Sequence, residues 1–186
     1  ALANNNPSLQ FALLSDFHDA PEETMNNDSA ILEEAQRQVN RLNLRYNSEY
    51  GDKFLFFHRK RCWNEAEGCW MGWERKRGKL EEFNHLLLNP SSDTTYTIIE
   101  EDFLQTLNKF PVQFVITLDA DTKLPPGSAR MLIGTAAHPL NRPKMDKDGK
   151  IVEKGYGIFQ PRISISPKSA NQTWFARIFS GNVGLD

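Results

Sequence analysis

Val112-Gln113-Phe114-Val115-Ile116-Thr117-Leu118 runs directly into Asp119-Ala120-Asp121-Thr122. A short apolar run with β-branched residues, ended by polar turn formers, predicts a buried strand. Two carboxylates one residue apart on the turn leaving it then stand where open α/β sheets bind ligands, beyond the carboxyl ends of strands. Pro125-Pro126-Gly127 opens a helix to about Ala137.

The pattern repeats upstream. Residues 9–16 read as a second buried strand, ending at Asp16. An acidic loop follows. A helix then runs from Asp28 or Ser29, either of which can cap it, to about Tyr46, with Ile31, Ala35, Val39 and Leu42 on one face. Residues 54–58 are a strand, 63–72 a loop rich in Gly and Trp, and 79–88 a helix turning Leu80, Phe83, Leu87 and Leu88 inward. A strand at 95–99, a helix at 101–109, a charged turn at 142–149, a strand at 156–163 and a short helix at 172–179 complete the chain. Strands alternating with helices argue for one α/β domain over 1–186 with a largely parallel sheet.

Composition narrows the partners. With 39% hydrophobic and 25% charged residues, the chain reads as globular rather than disordered. A net charge of -2 gives no reason to expect a nucleic-acid partner. No run of ~18 apolar residues crosses a membrane and no signal peptide is present. Both ends look entered in mid-chain. Cys62 and Cys69, with no export signal, read as reduced thiols.

Four features carry chemistry. Asp119 and Asp121 supply hard oxygen donors suited to a divalent cation that neutralises a diphosphate; the same spacing also suits a solvated turn. Asp16 can accept a hydrogen bond from a uracil N–H, or is an N-cap or loop carboxylate. Arg75-Lys76-Arg77-Gly78-Lys79, just before a helix, suits an oxyanion, or is an exposed basic turn. The indoles of Trp63, Trp70 and Trp73 stack on a sugar or fill a loop core. His18, His58, His85 and His138 are scattered and read as structural.

Taken together these stretches resemble a known family. Leu14-Ser15-Asp16-Phe17 with Asp19-Ala20-Pro21-Glu22 is similar to the start of the glycosyltransferase domain of cyclic β-1,2-glucan synthases. So are Trp63-Asn64-Glu65-Ala66-Glu67-Gly68, Trp70-Met71-Gly72-Trp73-Glu74-Arg75-Lys76-Arg77-Gly78-Lys79-Leu80 and Ile116-Thr117-Leu118-Asp119-Ala120-Asp121-Thr122. Ala137-His138-Pro139-Leu140-Asn141-Arg142-Pro143, Gly155-Tyr156-Gly157, Gln160-Pro161-Arg162 and Ile178-Phe179-Ser180-Gly181 extend the likeness to nearly the whole chain. More distantly the layout resembles processive synthases of the cellulose type.

The resemblance implies a three-layer GT-A fold, Rossmann-like and of the nucleotide-diphospho-sugar transferase kind, incomplete at both ends. It implies a metal-dependent inverting glucosyltransferase that uses UDP-glucose to build β-1,2-glucan. Asp16 would contact uracil, Lys76 the nucleotide and phosphates, Asp119 the nucleotide and metal, and Asp121 the metal, Mg²⁺ or Mn²⁺. The parent would be embedded in the bacterial inner membrane with this domain on the cytoplasmic face. No strand precedes Asn4 to fill the sheet between the strands ending at Asp16 and Asp119, so self-association through exposed sheet edges is expected. Asp146, Asp148 and Glu153 fall in or beside a charged turn, so the general base is expected beyond residue 186 and the isolated chain is expected to be inactive. The alternatives are a catalytically silent nucleotide-sugar-binding or scaffolding module, and a sugar-phosphate hydrolase or nucleotidyltransferase using the same carboxylates.

Overall fold

Phe54–Arg59 (β2) is the axis of the fold, because five of its six residues are buried. The computed structural model describes residues 2–4, 6–46, 52–99, 101–109, 111–161 and 173–174. These fall into two compact units, Ala1–Pro125 and Pro126–Asp186.

Alternation along β2 turns Leu55 and Phe57 to one side. There they meet Phe83 and Leu86 of α2 (Arg75–Leu88), Tyr96 of β5 (Tyr96–Ile98), and Phe103 and Leu107 of α3 (Glu101–Lys109). The Phe57 ring meets Phe83, Phe103 and Tyr96 edge-on, with centroids 5.1, 5.5 and 6.0 Å away. Such pairs each contribute about 0.5–1.5 kcal/mol beyond area burial. β1 (Phe11–Asp16) lies parallel to β2, in register from Phe11↔Phe54 to Asp16↔Arg59. A parallel pair needs a crossover, and α1 (Asp28–Arg45) supplies it. Val39 of α1 is buried, and the Asn43 amide both accepts from Phe54 N and donates to Phe54 O, at 2.8 Å each. β5 joins the far edge of β2 antiparallel, so the sheet order is β1-β2-β5.

The expected elements at β1, α1, β2, β5 and α3 are present, within an α/β arrangement. Other expectations are corrected. Residues 111–118 form no strand, and Val112, Phe114, Val115 and Leu118 are 40–49% exposed. An apolar run becomes a strand only when a neighbour takes its backbone hydrogen bonds, and no described strand pairs with it. β1 is an edge strand and only partly buried, with Leu13 exposed. The sheet holds one parallel pair rather than a largely parallel ladder.

The loop at 63–72 is a hairpin, β3 (Cys62–Asn64) and β4 (Cys69–Met71), with Trp63 opposite Trp70. Its turn closes by Gly68 N–H donating to Asn64 O, with Gly68 at φ +63°. Cys62 lies opposite Met71 and Cys69 opposite Asn64, and both thiols are free. α2 begins four residues before the expected Lys79, so the basic stretch lies inside its first turns. Leu86 rather than Leu88 faces the core; Leu88 is exposed. In α1, Ile31 and Leu42 are exposed, and neither Asp28 nor Ser29 is the cap. The Asp28 carboxylate instead accepts from Met25 N and from Arg61.

In the second unit, Gly127 at φ +74° precedes α4 (Ser128–Ala137) as expected. The charged turn is the tip of a hairpin, β6 (Lys144–Met145) with β7 (Val152–Lys154). The Asp146 carboxylate closes that tip by accepting from Lys150 N at 2.7 Å and Ile151 N at 3.1 Å. Residues 156–161 form no strand, and 162–163 lie outside the described residues, as does the expected helix at 172–179 apart from 173–174.

Candidate functional site

The parallel register places Asp16 beside Arg59 at the carboxyl end of β1 and β2. Arg59 is fully buried and makes four hydrogen bonds. Nε donates to Asp16 Oδ1 at 2.7 Å and Nη1 to Glu82 Oε2 at 3.2 Å. Nη2 donates to Trp73 O at 3.2 Å and Arg75 O at 3.1 Å. Burial works against the guanidinium charge, but the two carboxylates outweigh it and hold its pKa above the ordinary value. Glu82 is tied down further by Thr94 and Thr95, which donate to it.

The turn that Arg59 grips is strained. Glu74 and Arg75 take φ of +50° and +46°, where side chains crowd the backbone. At Gly72 a Cβ would sit 2.9 Å from Arg59 Nη2 and 3.0 Å from Asp16 Cγ and Oδ1, so a side chain there would push on both. The strained turn starts α2 in the direction that brings Lys76 and Lys79 toward the end of β1. Lys79 Nζ meets Asp16 Oδ2 at 2.9 Å.

Between these walls lies a cavity of about 450 Å³, bounded by the Asp16 to Asp19 segment, by Gly72, and by Arg75, Lys76 and Lys79. Arg75 bridges Asp19 Oδ2 at 2.9 Å and Glu67 Oε2 at 2.5 Å, and its pKa is raised, first by Glu67 and then by Asp19. Asp19, Glu67 and Cys69 lie close enough to share a cation. The Arg75 guanidinium already pairs with both carboxylates, so their charge is spoken for.

Lys76 Nζ forms an ion pair with Asp119. Asp119 stands on a turn closed by Thr122 N–H donating to Asp119 O at 3.0 Å. Asp121 is exposed two residues on. The structure therefore brings Asp16 and Lys76 to one cavity and joins Lys76 to Asp119, with Asp121 on the same turn.

A second arginine organises the opposite wall. Arg61 donates to His18 O at 2.7 Å and Glu23 O at 3.1 Å, pairs with the buried Asp28 at 2.5 Å, and lies over the Phe17 ring at 4.5 Å. Asp19 is exposed and lines the cavity. His58 is buried with Nδ1 2.9 Å from Ser15 Oγ, and burial lowers its pKa. Trp63 and Trp70 meet edge-on at 5.9 Å, with Trp63 and Trp73 about half exposed.

Arg59, Arg61 and Glu82 were missed by sequence reasoning. The available signal was two arginines two residues apart where an apolar strand ends.

No family model matches the chain. Over 188 aligned positions, covering all of this chain, it is 43% identical to the cyclic beta-(1,2)-glucan synthase NdvB of Rhizobium meliloti (strain 1021). The chain spans 6% of that protein's length. The resemblance carried by the motifs thus holds from end to end of the chain, as homology to one short stretch of a cyclic glucan synthase. No described helix is long and apolar enough to cross a membrane.

Proposed function

We propose that the cavity at the end of β1 is the donor-sugar site of a metal-dependent, inverting glucosyltransferase that takes UDP-glucose and extends β-1,2-glucan. The supporting observation is the convergence of Asp16, Lys76, Lys79 and, through Lys76, Asp119 at one cavity. Its fold would be a GT-A fold, of which this chain holds a part, in a parent seated in the bacterial inner membrane.

Each residue has a task in this reading. Asp16 accepts the uracil N–H. Lys76 and Lys79, on the first turns of α2, offer ammonium groups to the diphosphate, aided by the free N–H groups of a helix start. Asp119 and Asp121 are hard oxygen donors, both accessible, and fit Mg²⁺ or Mn²⁺. Bound there, such an ion would supply charge neutralisation for a departing diphosphate. Lys76 holds Asp119 in place meanwhile and, on leaving it, turns its charge to phosphate.

The acceptor hydroxyl must also lose a proton. Among the described residues, the carboxylates lining the cavity are already ion-paired: Asp16 with Arg59 and Lys79, Asp19 with Arg75. Neither is a free base, and none is assigned.

The test is calorimetry of the chain with UDP, with and without Mn²⁺, against glucose 1-phosphate. Micromolar-range, Mn²⁺-dependent UDP binding with no response to the sugar phosphate supports the proposal. Metal-independent binding, or preference for the sugar phosphate, refutes it.

A further inference from the structure

We propose that Arg59 is a positioning residue that sets nucleobase choice, holding the Asp16 carboxylate so that it reads the N–H edge of uracil; this rests on the donor-site reading above. Arg59 is fully buried and so acts on a ligand only through its partners. Its four hydrogen bonds tie Asp16, on one wall, to the Trp73 and Arg75 carbonyls on the other, with Glu82 behind. The guanidinium is planar, so fixing three of these directions fixes the fourth.

Asp16 has no freedom left. Lys79 takes its second oxygen at 2.9 Å, and Gly72 packs so closely that a Cβ there would lie 3.0 Å from its carboxylate. Each carboxylate oxygen still has a lone pair to offer, since an ionised carboxylate has about four acceptor sites. The Asp16 side chain is 14% exposed, toward the cavity. Uracil presents a donor at N3, and cytosine presents an acceptor at the same ring position. A carboxylate held still there attracts the first and repels the second, and a site built to take a hydrogen bond rejects the analogue lacking it. A carboxylate free to rotate loses that discrimination.

Lysine at position 59 keeps the charge but supplies one point donor in place of a fork. The experiment is calorimetry of UDP and CDP, with Mn²⁺, on the chain and on Arg59→Lys, Asp16→Asn and the double variant. Amide exchange across β2 and α3 checks the fold. Arg59→Lys is expected to lose roughly tenfold or more in UDP affinity, as for a charge-assisted hydrogen bond, with little change for CDP. In the Asp16→Asn background the same substitution is expected to cost nothing further. Equal losses for UDP and CDP, or full additivity with Asp16→Asn, would overturn the inference and leave the donor site standing. Wild-type chain that binds neither nucleotide would sink the donor-site reading itself, and this with it. Should Arg59→Lys not fold, Glu82→Gln loosens the far side of the same guanidinium, and an unchanged UDP-to-CDP ratio there refutes the proposal.

Discussion

Gly78 lies in the first turns of α2, at a place where alanine is ordinarily the better residue. In an open helix interior Gly→Ala gains about 1 kcal/mol. Here an added Cβ would fall onto the Trp73 carbonyl oxygen, 2.6 Å from Trp73 Cε3 and 2.9 Å from Glu74 Cβ. The carbonyl cannot retreat easily, because Arg59 Nη2 donates to it from a fully buried position. Overpacking against a fixed neighbour costs up to about 3 kcal/mol, so Gly78→Ala should lose about 2 kcal/mol net, a fall of several degrees in Tm. Gly134 in α4 is the control: nothing lies within 4 Å of its added Cβ, and Gly134→Ala should gain up to about 1 kcal/mol. Denaturant titration followed by amide exchange in α2 and α4 reads each helix separately. The two substitutions should therefore move in opposite directions. A Gly78→Ala chain as stable as wild type would mean that the start of α2 does not pack on the Trp73 carbonyl, and the floor of the cavity would have to be redrawn.

Other consequences follow from the same geometry. Asp121→Asn should weaken Mn²⁺-dependent UDP binding by tenfold or more, whereas Glu33→Gln on the exposed face of α1 should leave it unchanged; equal effects would remove Asp121 from the metal site. The Arg61 hydrogen bond holds the Asp28 carboxyl below its ordinary value near 3.8, so the stability it contributes is complete above that value and is lost as pH falls through the still lower folded one. Asp28→Asn should therefore destabilise the chain at pH ~6 and flatten the acid limb of a stability-versus-pH curve below the ordinary carboxylate value, and parallel curves would refute the pairing. Incubated with radiolabelled UDP-glucose, Mg²⁺ or Mn²⁺ and a β-1,2-glucan acceptor, the chain alone should make no polymer above an Asp119→Ala/Asp121→Ala control. A missing base alone costs ~10²–10⁴-fold, so labelled polymer would show that a base lies within these residues.

Where a signal was local, the sequence could be read. α1, α3 and α4 follow from apolar spacing and flanking turn formers, and β2 from its unbroken Phe54-Leu55-Phe56-Phe57 run. Residues 112–118 carry as strong a strand signal and form no strand, because pairing is a property of two segments and only one is written in the run. The hairpin at Cys62–Met71 is hidden in the sequence for a different reason. Its strands have three residues each, too short to show alternation, and its turn glycine Gly68 has the composition of a loop.

Charge was the hardest signal to place, and the site depends on it. A cluster such as Arg59-Lys60-Arg61 is ordinarily a solvated turn, since burying one unpaired cation costs several kcal/mol. Among the described residues both buried arginines are matched: Arg59 by Asp16 and Glu82, Arg61 by Asp28. Those carboxylates lie 43, 23 and 33 residues away, so no window of sequence contains the pairing. A strand end suits Asp16 to contact a ligand, and the same placement makes it the anchor of a buried network. The two roles are compatible only if one carboxylate serves both, with its protein-facing lone pairs spent on Arg59 and Lys79 and the remainder left to the cavity. The close packing of Asp16 and Arg59 accounts for the glycine at position 72. A side chain there would press on the carboxylate and the guanidinium at once.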